Sequence, residues 1–246
     1  LLSVACQARD IRNREKLRNL PEKELVMVGI PYMDEMARRL AEHPETAARG
    51  EKTVLLAPSW GKSAIFSKYG GRIIDLLLQT DYHIIVRPHP QSFTSEKEMM
   101  DELMAKYPNS DRLEWNRDAD NFEALKRSDI LISDFSGVIS DFSLVYDKPV
   151  IYADTDFDNS PYDACWLDTP FWTFTTLPRI GEKLDEGNFE TLPALIKACL
   201  TDPRYAEGRK AAREETWVYP GEGAKRVADY LIETCRKLAE EKEGQN

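Results

Sequence analysis

The sequence SDILISDFSGVISDFSLVYDKPVIYAD, at residues 128–154, decides the fold predicted for this chain. Its apolar run at residues 130–132 is typical of a strand that is buried on both faces of a parallel sheet. Asp134 and Ser136 end this run, and apolar residues then recur at helical spacing, so a helix follows the strand after a tight turn. Residues 150–152 begin a second strand. The stretch is therefore predicted to be a βαβ unit with a right-handed crossover.

The turn between the first strand and the helix predicts a phosphate site. The start of a helix leaves several N–H groups without intrahelical partners and carries the positive end of the helix dipole. Gly137 and Val138 lie where this helix begins, and Asp134 and Ser136 precede them. A phosphate or pyrophosphate group is the expected occupant. The alternative is that Asp134 and Ser136 only cap the helix.

Length and composition restrict the class of protein. The chain has 246 residues, enough for a large α/β domain with an appendage, and its apolar runs are shorter than the about 18 residues of a membrane span. The net charge of −10 argues against a nucleic-acid-binding surface. The four cysteines lack the spacing of zinc ligands, which fits a reducing cytoplasm. The sequence has neither an initiator methionine nor a signal-peptide pattern, so we expect a fragment of a longer protein.

Strands and helices alternate along the rest of the chain. Further strands are predicted at residues 53–57, 83–87 and 113–115, and a helix at 95–106 begins with the capping-box pattern of Ser95 and Glu98. The alternation predicts an α/β fold with a doubly wound parallel sheet, whose ligands lie at the carboxyl ends of the strands. A charged linker at residues 42–52 follows a helix capped near Asp34. This linker divides the chain in two. Residues 1–50 are interpreted as a linker with the remnant of a preceding domain, and residues 51–246 as a Rossmann-like domain.

Three loops follow predicted strands and carry polar groups, at residues 58–61, 88–90 and 134–137. Ser59 and Trp60 lie in the first loop, where the indole is suited to packing or to stacking on a ligand. His89 lies between two prolines in the second loop, beside Arg87, and this position favours a functional role. The alternative is a structural hydrogen bond from the imidazole to a loop carbonyl.

Two common classes of site are not indicated by the sequence. It has neither the lysine and glycine spacing of a P-loop nor a GxGxxG pattern, so a nucleoside triphosphatase or a simple nicotinamide enzyme is disfavoured. Asp154, Asp156 and Asp158 lack the glycine and glutamate of an EF-hand loop. We therefore expect no metal and no cofactor. The aromatic and acidic segment at residues 154–179 shows no clear period and is interpreted as a binding loop or lid.

The chain also resembles a known family. RPHP at residues 87–90 and SDFSGVISDFSLVYDKPVIY at residues 133–152 resemble the CDP-glycerol glycerophosphotransferases, the teichoic-acid primases and polymerases. The resemblance continues in GIPYMD at residues 29–34, PSW at residues 58–60 and PGEGAKRVADYL at residues 220–231, and thus covers nearly the whole chain.

The resemblance implies a fold, a reaction and roles for residues. The fold is the C-terminal, Rossmann-like half of a GT-B glycosyltransferase, and the reaction moves glycerol phosphate, or a related polyol phosphate, from a CDP-linked donor to a cell-surface polymer. His89 takes the position of a family histidine near the donor phosphates and is the candidate catalytic residue. The candidate substrate-binding residues are Ser59, Trp60, Arg87, Asp134, Ser136, Gly137 and Val138.

Departures from the family pattern leave alternatives. Gly137 replaces a second family serine, Tyr32 and Gly61 replace family arginines, and the family's N-terminal histidine has no counterpart. The alternatives are a GT-B sugar transferase or epimerase that uses a UDP-sugar, and a nucleotide-binding domain without turnover. A polyol-phosphate or lipid-linked acceptor would place the protein in the cytoplasm, with peripheral association at the inner face of the membrane through the missing part. We expect the isolated chain to be inactive.

Overall fold

The computed structural model describes residues 2–3, 5–44, 50–156 and 170–243. The chain forms two compact units, one of Leu1–His43 with Arg213–Asn246 and one of Pro44–Ala212. The first boundary lies within the linker predicted at residues 42–52. The residues from Arg213 onward group with the first unit, whereas the sequence-based division assigned them to the domain at residues 51–246. The assignment of residues 1–50 to a linker and remnant, and of residues 51–246 to a Rossmann-like domain, stays a prediction.

Strands and helices alternate through most of the described residues. The strands are β1 Leu2–Ser3, β2 Val26–Met27, β3 Thr53–Leu56, β4 His83–Val86, β5 Leu113–Trp115, β6 Ile130–Ser133, β7 Val150–Ala153 and β8 Gly181–Leu184. The α-helices are α1 Ala5–Leu17, α2 Pro31–Glu42, α3 Ile65–Tyr69, α4 Arg72–Leu77, α5 Ser92–Ser95, α6 Lys97–Lys106, α7 Phe122–Lys126, α8 Val138–Ser140, α9 Trp172–Ile180, α10 Leu192–Thr201, α11 Ala206–Thr216 and α12 Gly223–Glu243. A π-helical turn, Asp141–Val145, extends α8.

The first unit is held together by a carboxylate of α2. Asp34 Oδ1 accepts hydrogen bonds from Trp217 Nε1 at 2.8 Å and from the N–H of Gly221 at 2.7 Å. Its Oδ2 accepts from the N–H of Gly223, the first residue of α12, at 2.8 Å. The prediction that Asp34 caps its own helix is wrong, because α2 begins at Pro31 without a side-chain cap. Asp34 instead satisfies the N-terminus of a helix that is distant in sequence.

The helix α12 has an exposed apolar surface. It is 21 residues long, and its side chains of Leu231, Ile232 and Leu238 are each at least half exposed. No helix in the described ranges is both long and apolar enough to cross a membrane.

The second unit contains one parallel sheet. Among its described residues, six strands form the order β5-β4-β3-β6-β7-β8, and all neighbouring pairs are parallel. The central strands β3, β6 and β7 are buried along their whole length, as is typical of strands in a parallel sheet that is covered on both faces. The predicted doubly wound parallel sheet is confirmed. The sequence analysis missed β8, because Gly181–Leu184 has charged residues at two of its four positions.

The strand order fixes the place where a ligand would bind. From β3 the chain proceeds outward through β4 and β5, and then returns to the other side of β3 for β6, β7 and β8. The direction therefore switches between β3 and β6. Ser133 Oγ donates to the carbonyl oxygen of Ala57 at 2.6 Å, which ties the carboxyl ends of these two strands together. In open α/β sheets, ligands bind in the crevice at this switch point.

Two local predictions differ from the structure. The capping box of Ser95 and Glu98 is wrong, since Glu96 separates α5 from α6 and no side chain caps α6. The segment at residues 154–179 was predicted to be irregular, but α9 forms at Trp172–Ile180. Residues 157–169 of this segment lie outside the described residues.

A test of the packing uses Gly208 in α11. A Cβ atom at this position would lie 1.8 Å from the carbonyl oxygen of Arg179, so Gly208→Ala forces the backbone apart. We expect the free energy of unfolding to fall by about 1–3 kcal/mol, although alanine is intrinsically about 1 kcal/mol better than glycine in a helix. Urea denaturation measures the change. The control is Gly50→Ala, whose Cβ meets nothing within 4 Å; an increase in stability for Gly208→Ala would contradict the packing.

Candidate functional site

Hydrogen bonds join the three predicted loops in series. The N–H of His89, after β4, donates to the carbonyl oxygen of Pro58, after β3, at 3.2 Å. The N–H of Ser59 donates to both carboxylate oxygens of Asp134, after β6, at 3.1 Å each. The structure thus brings the three loops together at the switch point of the sheet.

Asp134 is the buried centre of this arrangement. Its side chain is 1% exposed, and its Oδ2 also accepts the N–H of Ile65, the first residue of α3, at 3.1 Å. Burial raises the pKa of this carboxyl, and the hydrogen bonds from Ser59, Ile65 and Phe135 oppose that rise by favouring the ionised form. The sequence predicted a substrate contact or a helix cap for Asp134. The substrate contact stays a prediction, and the cap is not formed, since no side chain caps α8. The carboxylate connects the loop after β3, and α3, to the loop after β6.

The start of α8 presents unpaired backbone donors. Ser136 is half-buried and Gly137 is exposed, and in the described part of the chain no hydrogen bond uses the N–H of Gly137 or Val138. The N–H of Ile139 donates to the carbonyl oxygen of Ser136 at 3.2 Å, so the helix begins immediately after this serine. A Cβ on Gly137 would meet nothing within 4 Å. The space above these donors is open, as an anion site requires.

The tautomer of neutral His89 follows from a backbone contact. The N–H of Gln91 donates to His89 Nδ1 at 3.1 Å, so in the neutral ring Nδ1 is the acceptor and Nε2 carries the proton. The sequence analysis offered, as the alternative to a functional role, a hydrogen bond from the ring to a loop carbonyl. In the structure the ring nitrogen accepts a hydrogen bond from a backbone N–H. The exposed imidazole lies beside Trp60, with ring centroids 6.3 Å apart. Trp60 is 45% exposed, so its indole can also contact a ligand.

Arg87 braces the neighbouring loop. Its Nη1 donates to Asn116 Oδ1, and its Nη2 donates to the carbonyl oxygen of Asp118 at 2.8 Å. The guanidinium therefore fixes the chain after β5 to the end of β4. Its charge lies two residues before His89 in the sequence.

Two acidic residues near the site were missed by the sequence analysis. Glu96 Oε1 accepts the N–H of Gly61 at 2.9 Å, which gives the loop of Trp60 a second carboxylate contact besides Asp134. Asp141 lies in the π-helical turn, and burial raises its pKa to about 6. A signal for Asp141 was present, because the sequence SDFS occurs at residues 133–136 and again at residues 140–143.

The fold and the site together define a class of protein. A parallel sheet with this strand order and with a helix N-terminus open at its switch point is the nucleotide-binding arrangement of Rossmann-like domains. The family model of CDP-glycerol:poly(glycerophosphate) glycerophosphotransferase matches residues 4–232. The chain belongs to this family. A sequence comparison with curated proteins found no match.

Solved structures share the fold. The structure of the wall teichoic acid polymerase TagF has a TM-score of 0.56 and 18% identity, and the match covers 98% of this chain and 58% of that chain. The UDP-GlcNAc 2-epimerase from Neisseria meningitidis, bound to UDP-GlcNAc, has a TM-score of 0.55 and 12% identity, with 92% of this chain and 59% of that chain covered. At these identities the likeness shows the GT-B type of fold alone. The chain spans less than two thirds of the length of either protein.

The role of Asp134 as a connector is testable by stability. Asp134→Asn replaces one acceptor oxygen with an amide that faces backbone donors, so we expect the free energy of unfolding to fall by about 1–3 kcal/mol. Urea denaturation is the measurement. Ser136→Ala is the matched control, since no side-chain bond is lost within the described residues, and its stability should change by less than about 0.5 kcal/mol. Equal stability of both variants would argue against the connector role.

The raised pKa of Asp141 predicts a pH dependence. Its value is about 6 in the folded chain, against about 3.9 for an unperturbed aspartate. The folded state therefore holds this proton more tightly, and the resulting stabilisation is complete below about pH 4 and lost as the pH rises through 6. Asp141→Asn should remove this loss. The difference in free energy of unfolding, variant minus parent, should therefore be about 1–2 kcal/mol larger at pH 7.5 than at pH 4.

Urea denaturation of parent and variant between pH 4 and pH 8 measures this difference. Asp81→Asn, at an exposed aspartate, is the control and should give a curve parallel to that of the parent. A parallel curve for Asp141→Asn would contradict the prediction.

Proposed function

We propose that the chain supplies the donor-binding part of a transferase that moves glycerol phosphate from CDP-glycerol to a hydroxyl of a teichoic-acid-type polymer. The observation that carries the proposal is the family match over residues 4–232, which includes all three loops at the switch point. Because the chain spans 58% of TagF, the complete reaction is assigned to a longer protein.

The donor pyrophosphate is proposed to bind at the start of α8. The N–H groups of Gly137 and Val138 and the hydroxyl of Ser136 are the donors, and the helix dipole adds a favourable field for an anion. Fixed backbone donors require no reorganisation when charge develops during the reaction. Asp134 and Ser59 support this site, because the bond from the Ser59 N–H to the Asp134 carboxylate joins the loop after β3 to the loop after β6.

His89 is proposed to hydrogen-bond the leaving phosphate through Nε2–H. The acceptor hydroxyl attacks the phosphorus that carries glycerol, and the bond from that phosphorus to the bridging oxygen of the pyrophosphate breaks as CMP leaves. Negative charge therefore grows on an oxygen of CMP, where a donor stabilises the transition state. Proton transfer from an imidazolium would require a proton on Nδ1, which would break the bond from the Gln91 N–H. The contact thus favours hydrogen bonding over proton transfer.

Arg87 and Trp60 are proposed to assist at either side of His89. Arg87 keeps the chain after β5 in place and adds positive charge near the phosphates. The exposed indole of Trp60 offers a flat surface for stacking on the donor. The base that deprotonates the acceptor hydroxyl is assigned to the remainder of the longer protein, so the isolated chain should bind the donor without turnover.

The proposal includes a location. A nucleotide-linked donor is charged and stays in the aqueous phase, whereas a lipid-linked acceptor stays in the membrane. We therefore propose that the longer protein works in the cytoplasm at the inner face of the membrane, as a peripheral protein of cell-wall synthesis.

Calorimetric titration of the chain tests the proposal. CDP-glycerol should bind more tightly than UDP-glucose or UDP-GlcNAc, with CDP-ribitol as a related donor. Ser136→Ala should weaken CDP-glycerol binding by about 1.5–3 kcal/mol, the contribution of a hydrogen bond to a charged group. His89→Ala should change this affinity less, and in the longer protein it should lower the single-turnover rate, because its contact strengthens in the transition state.

Ser140→Ala, at a serine of α8 further from the helix start, is the matched control and should leave the affinity unchanged. Tighter binding of a UDP-sugar would replace this proposal with the UDP-sugar alternative. An unchanged single-turnover rate in the longer protein with His89→Ala would remove the role of His89.

A further inference from the structure

A buried tyrosine hydroxyl without a partner lies at the end of α3. Tyr69 is 2% exposed, and its Oη has no hydrogen-bond partner among the described residues. Its ring is stacked on Phe189, with centroids 4.2 Å apart and planes at 11°, so packing fixes its direction. A buried hydroxyl without a partner loses its hydration and gains no hydrogen bond in return, which destabilises the fold. Phenylalanine would avoid this cost, so the hydroxyl calls for an explanation.

A second orphan hydroxyl lies in the chain after β7. Thr155 is 6% exposed, and its Oγ1 also has no partner in the part of the chain that the structure describes. Lys68, the neighbour of Tyr69 in α3, contacts the chain on both sides of Thr155. Its Nζ donates to the carbonyl oxygen of Asp154 at 2.9 Å and to Asp156 Oδ2 at 3.0 Å, on either side of Thr155.

The surrounding charges select the kind of ligand. Acidic groups of residues 154, 156, 185 and 186 act on the Tyr69 hydroxyl, and burial together with these charges raises its pKa to about 12. The hydroxyl thus stays protonated and can donate. Lys183 Nζ lies 2.8 Å from Asp185 Oδ2 and 3.6 Å from Asp154 Oδ2, and Lys68 pairs with Asp156. The carboxylates of residues 154, 156 and 185 thus already have cationic partners. The acidic surroundings disfavour a phosphate, and the lysines disfavour a cation.

The helix α3 links these hydroxyls to the proposed phosphate site. Its first residue, Ile65, is bonded to Asp134 at the end of β6, and its last residues contact the chain after β7. A five-residue helix rises by about 7.5 Å, and β6 and β7 are adjacent strands about 4.8 Å apart. The helix thus leads from the end of β6 to the chain that follows the adjacent strand β7.

We propose that Tyr69 Oη and Thr155 Oγ1 form a subsite for a vicinal diol of the donor, either the ribose or the glycerol group. The proposal rests on the proposed function and adds to it the recognition of an uncharged, hydroxyl-bearing group. A diol offers both acceptors and donors, so it can satisfy two orphan hydroxyls without bringing a charge into acidic surroundings. Entry of the ligand would also remove the cost of leaving the two hydroxyls unpaired.

Tyr69→Phe and Thr155→Val remove one hydroxyl each with little change of shape. In calorimetric titrations with CDP-glycerol, each variant of the chain should bind about tenfold more weakly, as expected for the loss of one hydrogen bond. Titration with CDP, which has the ribose but not the glycerol group, separates the ribose diol from the glycerol diol. A loss for both ligands identifies the ribose diol, and a loss for CDP-glycerol alone identifies the glycerol diol.

Tyr107→Phe is the matched control. The Tyr107 hydroxyl donates to Asp75 Oδ1 at 2.8 Å and is also bonded to the carbonyl oxygen of Gly71 at 3.0 Å, so this variant should lose thermal stability and keep its affinity. Tyr69→Phe should show the reverse, with unchanged or higher melting temperature and weaker binding. Because the two hydroxyls lie on different elements, Thr155→Val tests the subsite even if one variant fails to fold.

Two results would overturn the subsite. Affinities for both ligands that stay within twofold of the parent would show that the hydroxyls hold only an ordered water. In that case weaker binding by Ser136→Ala would still support the proposed function. Failure of the parent chain to bind CDP-glycerol and CDP would overturn both the subsite and the proposed function.

Discussion

The site depends on one buried carboxylate. Asp134 accepts the N–H groups of Ser59 and Ile65, and these bonds fix the loop after β3 and the start of α3 against the end of β6. Burial raises the pKa of this carboxyl, and the backbone donors offset part of the cost by hydrogen-bonding its ionised form. His89 is then placed through its own N–H to Pro58, so its position depends on the same loop.

This support leaves the groups above it available for a ligand. The carboxylate accepts hydrogen bonds from buried backbone donors, whereas the N–H groups of Gly137 and Val138 and the Nε2–H of His89 have no partner among the described residues. An anion placed there would meet donors that packing has already oriented, which is the condition for electrostatic stabilisation without reorganisation. The proposed glycerophosphotransferase chemistry needs little more from this part of the protein, because phosphoryl transfer relies mainly on placement and charge.

Orphan and satisfied polar groups divide the site into two regions. At the switch point, the buried oxygens of Asp134 are bonded to backbone donors, so the polar groups of this carboxylate are satisfied without a ligand. At the end of α3 and in the chain after β7, the hydroxyls of Tyr69 and Thr155 are buried without partners within the described chain. A buried polar group without a partner is retained against a free-energy cost, and at a ligand site the ligand can supply the compensation. The contrast is the physical basis for extending the proposed donor site from the start of α8 toward the chain after β7.

The sequence by itself determined the parallel α/β fold, the family resemblance and the three loops of the site. Those features depend on local pattern, because buried strands, helix starts and strand-end polar residues leave periodic signals along the chain. Only the tertiary structure decided what each polar group does. Asp134 and Asp34 both had the local pattern of helix caps, yet their carboxylates bond N–H groups that are distant in sequence. The strand β8, the tautomer of His89 and the orphan hydroxyl of Tyr69 likewise depend on which segments meet in space, and hydrogen-bond partners across a fold leave no periodic signal in the sequence.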